Sequence, residues 1–183
     1  MSRIFIAINL PADIKKKIAD YQQNWRDLPV RLVPARNMHL TVVFVGYASN
    51  EETLKICQMT KKAAEQYESF NLNFQRICLG PPRKPPRLIW LEGEKNQALI
   101  ALKKELEKNL VGAARNFRSE YRDLMPHITL ARIKQMEWQR LQQKPEIEEA
   151  VDFNVLVNSI EVMESELKRT GPEYNILETV LFR

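Results

Sequence analysis

The chain holds only two histidines, and both open the same short pattern. His39 begins HLTVVF and His127 begins HITLAR, so each is followed by an aliphatic residue, a threonine and another aliphatic residue. With six threonines in 183 residues, chance would place a threonine two positions after both histidines roughly once in a thousand. Both patterns lie on β-branched, apolar runs that read as strands. On a strand, residues i and i+2 share a face, so His39 points with Thr41 and His127 with Thr129. Two such faces opposed across a cleft would set an imidazole on either side and hydroxyls between. That layout serves an in-line displacement at phosphorus. One imidazole takes a proton from the attacking water, and the other gives one to the departing oxygen. Histidine suits both roles because its ordinary pKa, about 6.5, lies near working pH. The threonine hydroxyls would hydrogen-bond the non-bridging oxygens, where charge must be held.

Other readings compete. A lone histidine at a strand start is ordinarily structural, and it is the matched pair that favours acid–base chemistry. Two histidines and a carboxylate could ligate a metal, but HxH, HExxH and paired Cys–His spacings are absent. A serine or cysteine nucleophile would need its own base, and neither Cys57 nor Cys78 neighbours a partner motif. Eighty-eight positions separate the two patterns, which points to an internal duplication in two lobes.

The elements that must carry these residues can be read along the chain. Arg3–Asn9 alternates as a strand, and Pro11 opens a helix running to about Trp25. Pro29–Pro34 is a short extended piece, and His39–Val45 is a strand ending at Gly46. Glu51–Glu68 reads as a helix capped by Asn50. Phe70–Leu79 and Arg87–Leu91 form a hairpin around the proline-rich basic turn Gly80–Arg87. Asn96–Asn109 is a helix with Leu99, Leu102, Leu106 and Leu110 on one face. Phe117–Pro126 is a polar loop, His127–Ile133 a strand, and Met136–Lys144 a short helix or turn. Val151–Met163 and Tyr174–Phe182 read as two final strands joined near Thr170-Gly171-Pro172. Hairpin-linked strands punctuated by helices predict an α+β fold with antiparallel sheets. GxGxxG and GxxxxGK[ST] are both absent, so no usual nucleotide phosphate loop is present.

Composition fits one globular domain, with 44% hydrophobic and 28% charged residues. The net charge of +5, from 28 basic and 23 acidic residues, favours anionic partners such as phosphates or RNA. Two cysteines twenty-one positions apart make neither a disulfide framework nor a metal knuckle, and predict a reduced, cytoplasmic protein. No apolar run approaches the length of a signal peptide or membrane span, so no membrane partner is expected, and nothing suggests more than a monomer.

Taken together, HLTVVFVG and HITLAR resemble the paired HxTx motifs of the two-histidine phosphoesterase superfamily. The start (RIFIAINLP), middle (PPRLIWLEG) and tail (ESELKRTGPEYNIL) resemble its RNA 2′,3′-cyclic phosphodiesterase branch, also called 2′–5′ RNA ligase-like. The likeness covers essentially the whole chain. It implies a single bilobal domain over 1–183 with pseudo-twofold symmetry, one motif per lobe (39–42 and 127–130), and helices outside two antiparallel sheets that flank a central cleft. It implies no metal and no cofactor. It further implies that His39 is the proton donor to a leaving 3′-oxygen and His127 the base activating water. The substrate would be an RNA or nucleotide end bearing a 2′,3′-cyclic phosphate, opened to a 2′-phosphate, with 2′–5′ ligation as the reverse chemistry.

Phe44 and Arg132 each stand five residues after their histidine. In the family these positions resemble a base-stacking ring and a phosphate-binding guanidinium. Strict strand alternation puts both on the face away from the histidines, unless a bulge re-aims them. Leu40, Val42 and Phe44 would then form a core stripe, whereas burying an unpaired Arg132 would be costly. Arg36, Arg83, Lys84, Arg87, Arg115, Arg118 and Arg122 are further candidates for RNA contact, and Trp90 reads as core. Two rivals remain. One is a nucleotide- or RNA-end-binding module without turnover; the other is a phosphodiesterase acting on 2′–5′ oligonucleotides or small cyclic phosphates.

Overall fold

A computed structural model describes residues 1–82, 85–115, 117–120, 124–169 and 171–183. In chain order its main elements are β1 (Ser2–Asn9), α1 (Ala12–Tyr21), β2 (Val30–Leu32), β3 (His39–Ala48), α2 (Asn50–Ala64), β4 (Phe70–Gly80) and β5 (Leu88–Gly93). They continue with α3 (Gln97–Leu110), β6 (His127–Ile133), α4 (Gln135–Gln139), β7 (Glu148–Val157), β8 (Ser159–Lys168) and β9 (Gly171–Leu181). The strands form two sheets, ordered β3-β1-β8-β9 and β2-β6-β5-β4-β7. Every pairing is antiparallel, so the fold is the α+β class expected.

Alternation in RIFIAIN gives β1 two buried faces. Ile4, Ile6 and Ile8 enter the main core, while Phe5 and Ala7 join Met163 and Tyr174 in a smaller apolar cluster on the other face. The main core is continuous across both sheets. It takes Ile14 and Ile18 from α1, the Leu99, Leu102, Leu106 and Leu110 stripe from α3, and Ile128 and Leu130 from β6. The predicted β4–β5 hairpin is present, with Cys78 opposite Trp90.

Three expectations need correction. The stretch Val151–Met163 is not one strand. Its apolar phase runs on odd positions through Val157 and resumes on even positions at Ile160, and the chain leaves one sheet for the other at Asn158. Helix α2 is capped by Ser49 rather than Asn50. The Ser49 hydroxyl accepts from the Glu52 amide at 3.2 Å, and the Glu52 carboxylate accepts from the Ser49 amide at 2.8 Å. This reciprocal pair satisfies two amides that the first helical turn leaves open.

The third correction concerns strand phase, and it shapes the site. Across β1–β3, Thr41 pairs with Ala7 and Val43 with Ile6, which leaves Val42 as an inserted residue. Across β5–β6, Thr129 pairs with Trp90 and Ala131 with Ile89, which leaves Leu130 inserted. Each histidine is therefore followed, three positions later, by a bulge. The bulge buries two consecutive residues, Val42 with Val43 and Leu130 with Ala131. Beyond it the alternation is inverted. Phe44 and Arg132 thus emerge on the same face as the histidines. Phe44 does not continue the Leu40–Val42 core stripe; it is 63% exposed.

Candidate active site

β3 belongs to one sheet and β6 to the other, yet their outward faces line one cavity of about 560 Å³. His39, Thr41 and Phe44 from β3 meet His127, Thr129 and Arg132 from β6 around it. All six residues singled out from the sequence are therefore brought together.

The two imidazoles are held in the same way. His39 Nδ1–H donates to the Asn37 carbonyl at 2.8 Å, and His127 Nδ1–H donates to the Met125 carbonyl at 2.9 Å. A carbonyl can only accept, so each ring carries its Nδ1 proton and leaves Nε2 for the cavity. Around His39, the Phe5 ring lies 5.0 Å away centroid to centroid, and Tyr174 meets it edge-on at 4.9 Å. Around His127, Trp90 packs at 4.4 Å.

Burial disfavours the charged form of both rings. It is the chief reason that His39 falls to about 4. The Asn37 carbonyl opposes the fall, and Lys15, Arg132 and His127 add positive charge that favours it. His127 is also lowered, mainly by burial, against the pull of the Met125 carbonyl and of Glu92. Glu92 is the Cα partner of His127 across β5–β6, and Arg76 Nε and Nη2 hold its carboxylate at 2.9 and 2.7 Å.

Several site residues gave no sequence signal of their own. Phe5 and Tyr174 line the cavity beside Phe44 and build an aromatic wall, with Phe5–Tyr174 centroids 5.2 Å apart. Arg3, Arg31 and Lys103 also reach it. Lys103 is not a free cation. Its Nζ is 2.6 Å from Glu107 Oε1 and donates to the Glu120 carbonyl at 2.8 Å, which fastens the segment leading toward β6. Of the basic residues proposed from sequence, Arg36 lines the cavity, whereas Arg87, Arg115 and Arg118 do not. Arg83, Lys84 and Arg122 fall outside the described residues, as does Thr170 of the last turn. Trp90 is buried as expected, and its indole N–H donates to Cys78 Sγ at 3.1 Å. Neither cysteine is bridged.

A family model for LigT-like phosphoesterases matches residues 8–90 and again 91–174, so each match contains one of the two motifs. The chain belongs to the LigT-like phosphoesterase family. Among its relatives is an RNA 2′,3′-cyclic phosphodiesterase of Methanocaldococcus jannaschii, 28% identical over 96% of this chain and 98% of that one. Another, of the same description, comes from Thermotoga maritima. It is 28% identical over 96% of this chain and 92% of its own. The crystal structure of TT0787 of Thermus thermophilus shares the fold, with a TM-score of 0.84 and 23% identity. That match covers 98% of this chain and 97% of the other.

Two tests follow from this LigT-like site. A Cβ on Gly80 would overlap the Trp90 ring, the same ring that supports His127. Gly80→Ala should cost about 1–3 kcal/mol in urea denaturation, as over-packing does, and should lower turnover with it. A fully stable, fully active variant would show that the overlap is relieved without disturbing the contact between Trp90 and His127. The second test concerns pH. Folded His39 titrates near 4 and unfolded histidine near 6.5. Its contribution to stability is therefore complete above about pH 6.5 and is lost as pH falls through that window, where only the unfolded chain binds the proton. Wild type should lose more stability than His39→Ala between pH 7.5 and 4.5, and equal losses would contradict the buried neutral ring.

Proposed function

We propose that this cleft opens the 2′,3′-cyclic phosphate at an RNA or nucleotide end to leave a 2′-phosphate. The chain would act as one bilobal domain with one motif per lobe. The observation that carries the reading is the matched pair of Nε2 atoms. Both imidazoles are oriented by a carbonyl two residues upstream, and both serve the same cavity with a threonine beside each. The relatives described as RNA 2′,3′-cyclic phosphodiesterases support the reaction class.

In this reading His127 Nε2 takes a proton from water as the water oxygen attacks phosphorus. The P–O3′ bond breaks on the opposite side, and His39 Nε2–H protonates the departing 3′-oxygen. Thr41, Thr129 and Arg132 hold the non-bridging oxygens, where charge builds. Phe44 offers a face to the base. A 5′-hydroxyl in place of water would give a 2′–5′ linkage, so ligation uses the same groups. No step calls on a metal or other cofactor. The site works in a cytoplasmic monomer, and no helix among the described residues is long and apolar enough to cross a membrane.

His39 must be protonated to act as the acid, yet the protein groups around it hold it neutral at pH 7. A bound phosphate resolves this. Its negative charge offsets Arg132 and Lys15 and pairs with the imidazolium, so binding brings a proton with it. Binding of the 2′-phosphate product near pH 6 should therefore take up more protons in wild type than in His39→Ala, a difference in which the phosphate's own proton, titrating near the same pH, cancels. Calorimetry in two buffers of different ionisation heat measures both uptakes, and equal uptake would remove His39 from the acid role.

The direct test is turnover of a cyclic-phosphate-ended oligonucleotide, with the product phosphate mapped to its 2′ or 3′ position. His39→Ala and His127→Ala should each lower kcat by roughly a hundredfold to ten-thousandfold while remaining folded. The wild-type pH–rate profile should be bell-shaped, and EDTA should not change it. Undiminished turnover in either variant would refute the pair. Tight oligonucleotide binding without turnover would favour a binding module instead.

A further inference from the structure

Arg31 and Arg132 are Cα partners on the β2–β6 ladder, and both line the cavity. Directly opposed residues share a sheet face, with Cα atoms about 5 Å apart. Like charges so placed repel and weaken a sheet. Among the described residues neither guanidinium has a carboxylate or other hydrogen-bond partner to relieve this. Such a pair on a cavity wall is arranged for an anionic ligand.

The two guanidiniums are not placed alike toward the imidazoles, because Arg132 shares strand β6 with His127 while Arg31 does not. Arg132 lies close enough to His39 to add to its positive surroundings, whereas Arg31 does not figure among them. Arg31 is also placed further out. Both side chains are exposed, but β2 is an edge strand with no neighbour beyond it among the described residues, so Arg31 lies one strand outside the β6 strand that carries His127, Thr129 and Arg132. The opposite wall, built by the first sheet, carries the rings of Phe5, Phe44 and Tyr174.

We propose that Arg31 holds a second phosphate, the diester joining the terminal nucleotide to the rest of its strand. Arg31 is then the residue that makes the site favour an oligonucleotide end over a free cyclic mononucleotide. This rests on the phosphodiesterase reading above. The reacting phosphate lies between the two imidazoles and on Arg132, the terminal base faces the aromatic wall, and the strand leaves the cavity past Arg31 at the sheet edge. A guanidinium suits this because it grips a phosphate through two parallel N–H donors.

The experiment compares kcat/KM of wild type and Arg31→Gln on two substrates, a tetranucleotide ending in a 2′,3′-cyclic phosphate and a 2′,3′-cyclic mononucleotide. The ratio of oligonucleotide to mononucleotide efficiency should fall roughly tenfold to a hundredfold in the variant, the range for losing a charged hydrogen bond. The dependence of log(kcat/KM) on log salt for the tetranucleotide should become shallower by about 0.7, one single-strand phosphate contact. A ratio unchanged within about twofold would overturn the proposal, whether both efficiencies fall together or neither does. Wild type that opens neither substrate would refute the phosphodiesterase reading alone. Binding of a fluorescent tetranucleotide ending in a 2′-phosphate then decides Arg31. The same difference in salt slope supports the second-phosphate site, and equal slopes reject it.

Discussion

The chemistry proposed for this protein depends on one small interaction made twice. Each catalytic candidate donates its Nδ1 proton to the carbonyl two residues before it, His39 to Asn37 and His127 to Met125. That bond sets the tautomer, fixes the ring plane and leaves a single nitrogen for the substrate. It is also local, so it forms wherever the chain enters the strand in the right conformation. A duplicated sequence can therefore deliver two equivalent acid–base groups without any long-range side-chain network. What the rest of the fold adds is opposition, by placing β3 and β6 in different sheets that face a common space.

The electrostatics of that space lean positive. Arg3, Arg31, Arg36 and Arg132 approach it, and the two rings are buried enough that the protein's own groups leave them neutral. A buried carboxylate, Glu161, accepts from the amide of Asn9, the cross-strand partner of His39, at 3.0 Å and from Ser159 Oγ at 2.8 Å. Lys15 reaches Asn9 Oδ1 at 2.6 Å. Burial raises the pKa of Glu161, against the opposing pull of Ser159, Asn9 and Lys15. Phosphate would be the strongest anion in the cleft, which ties protonation of the acid to occupancy of the site.

Much of this was legible from residue order. The alternation in RIFIAIN and HITLARI, the leucine stripe of α3 and the β4–β5 hairpin each follow from periodicity, and the structure has them. Repetition of a rare residue in one context was enough to find His39, Thr41, His127 and Thr129. Phe44 and Arg132 were harder, because their placement depends on bulges at Val42 and Leu130. The trace of those bulges is two adjacent apolar residues, VV and LA, where alternation demands one. Read alone, such a doublet is ambiguous; its recurrence at the same offset in both motifs is what gives it meaning. Tyr174, Phe5 and Arg31 could not be found this way. They reach the cavity through strand pairing between distant segments, which no local spacing encodes.

The two family matches split the chain near residue 90, but the hydrogen-bonded ladders do not respect that division. The first sheet joins β1 and β3 from one half to β8 and β9 from the other, and the second joins β2 and β4 to β6 and β7 around β5, which spans the boundary. Each half thus lends strands to both walls. Severed at that boundary, either piece would expose unpaired edges on two sheets at once. The stretch matched twice therefore does not coincide with either sheet, and the opposition of the two imidazoles is secured by the interleaving of the two halves.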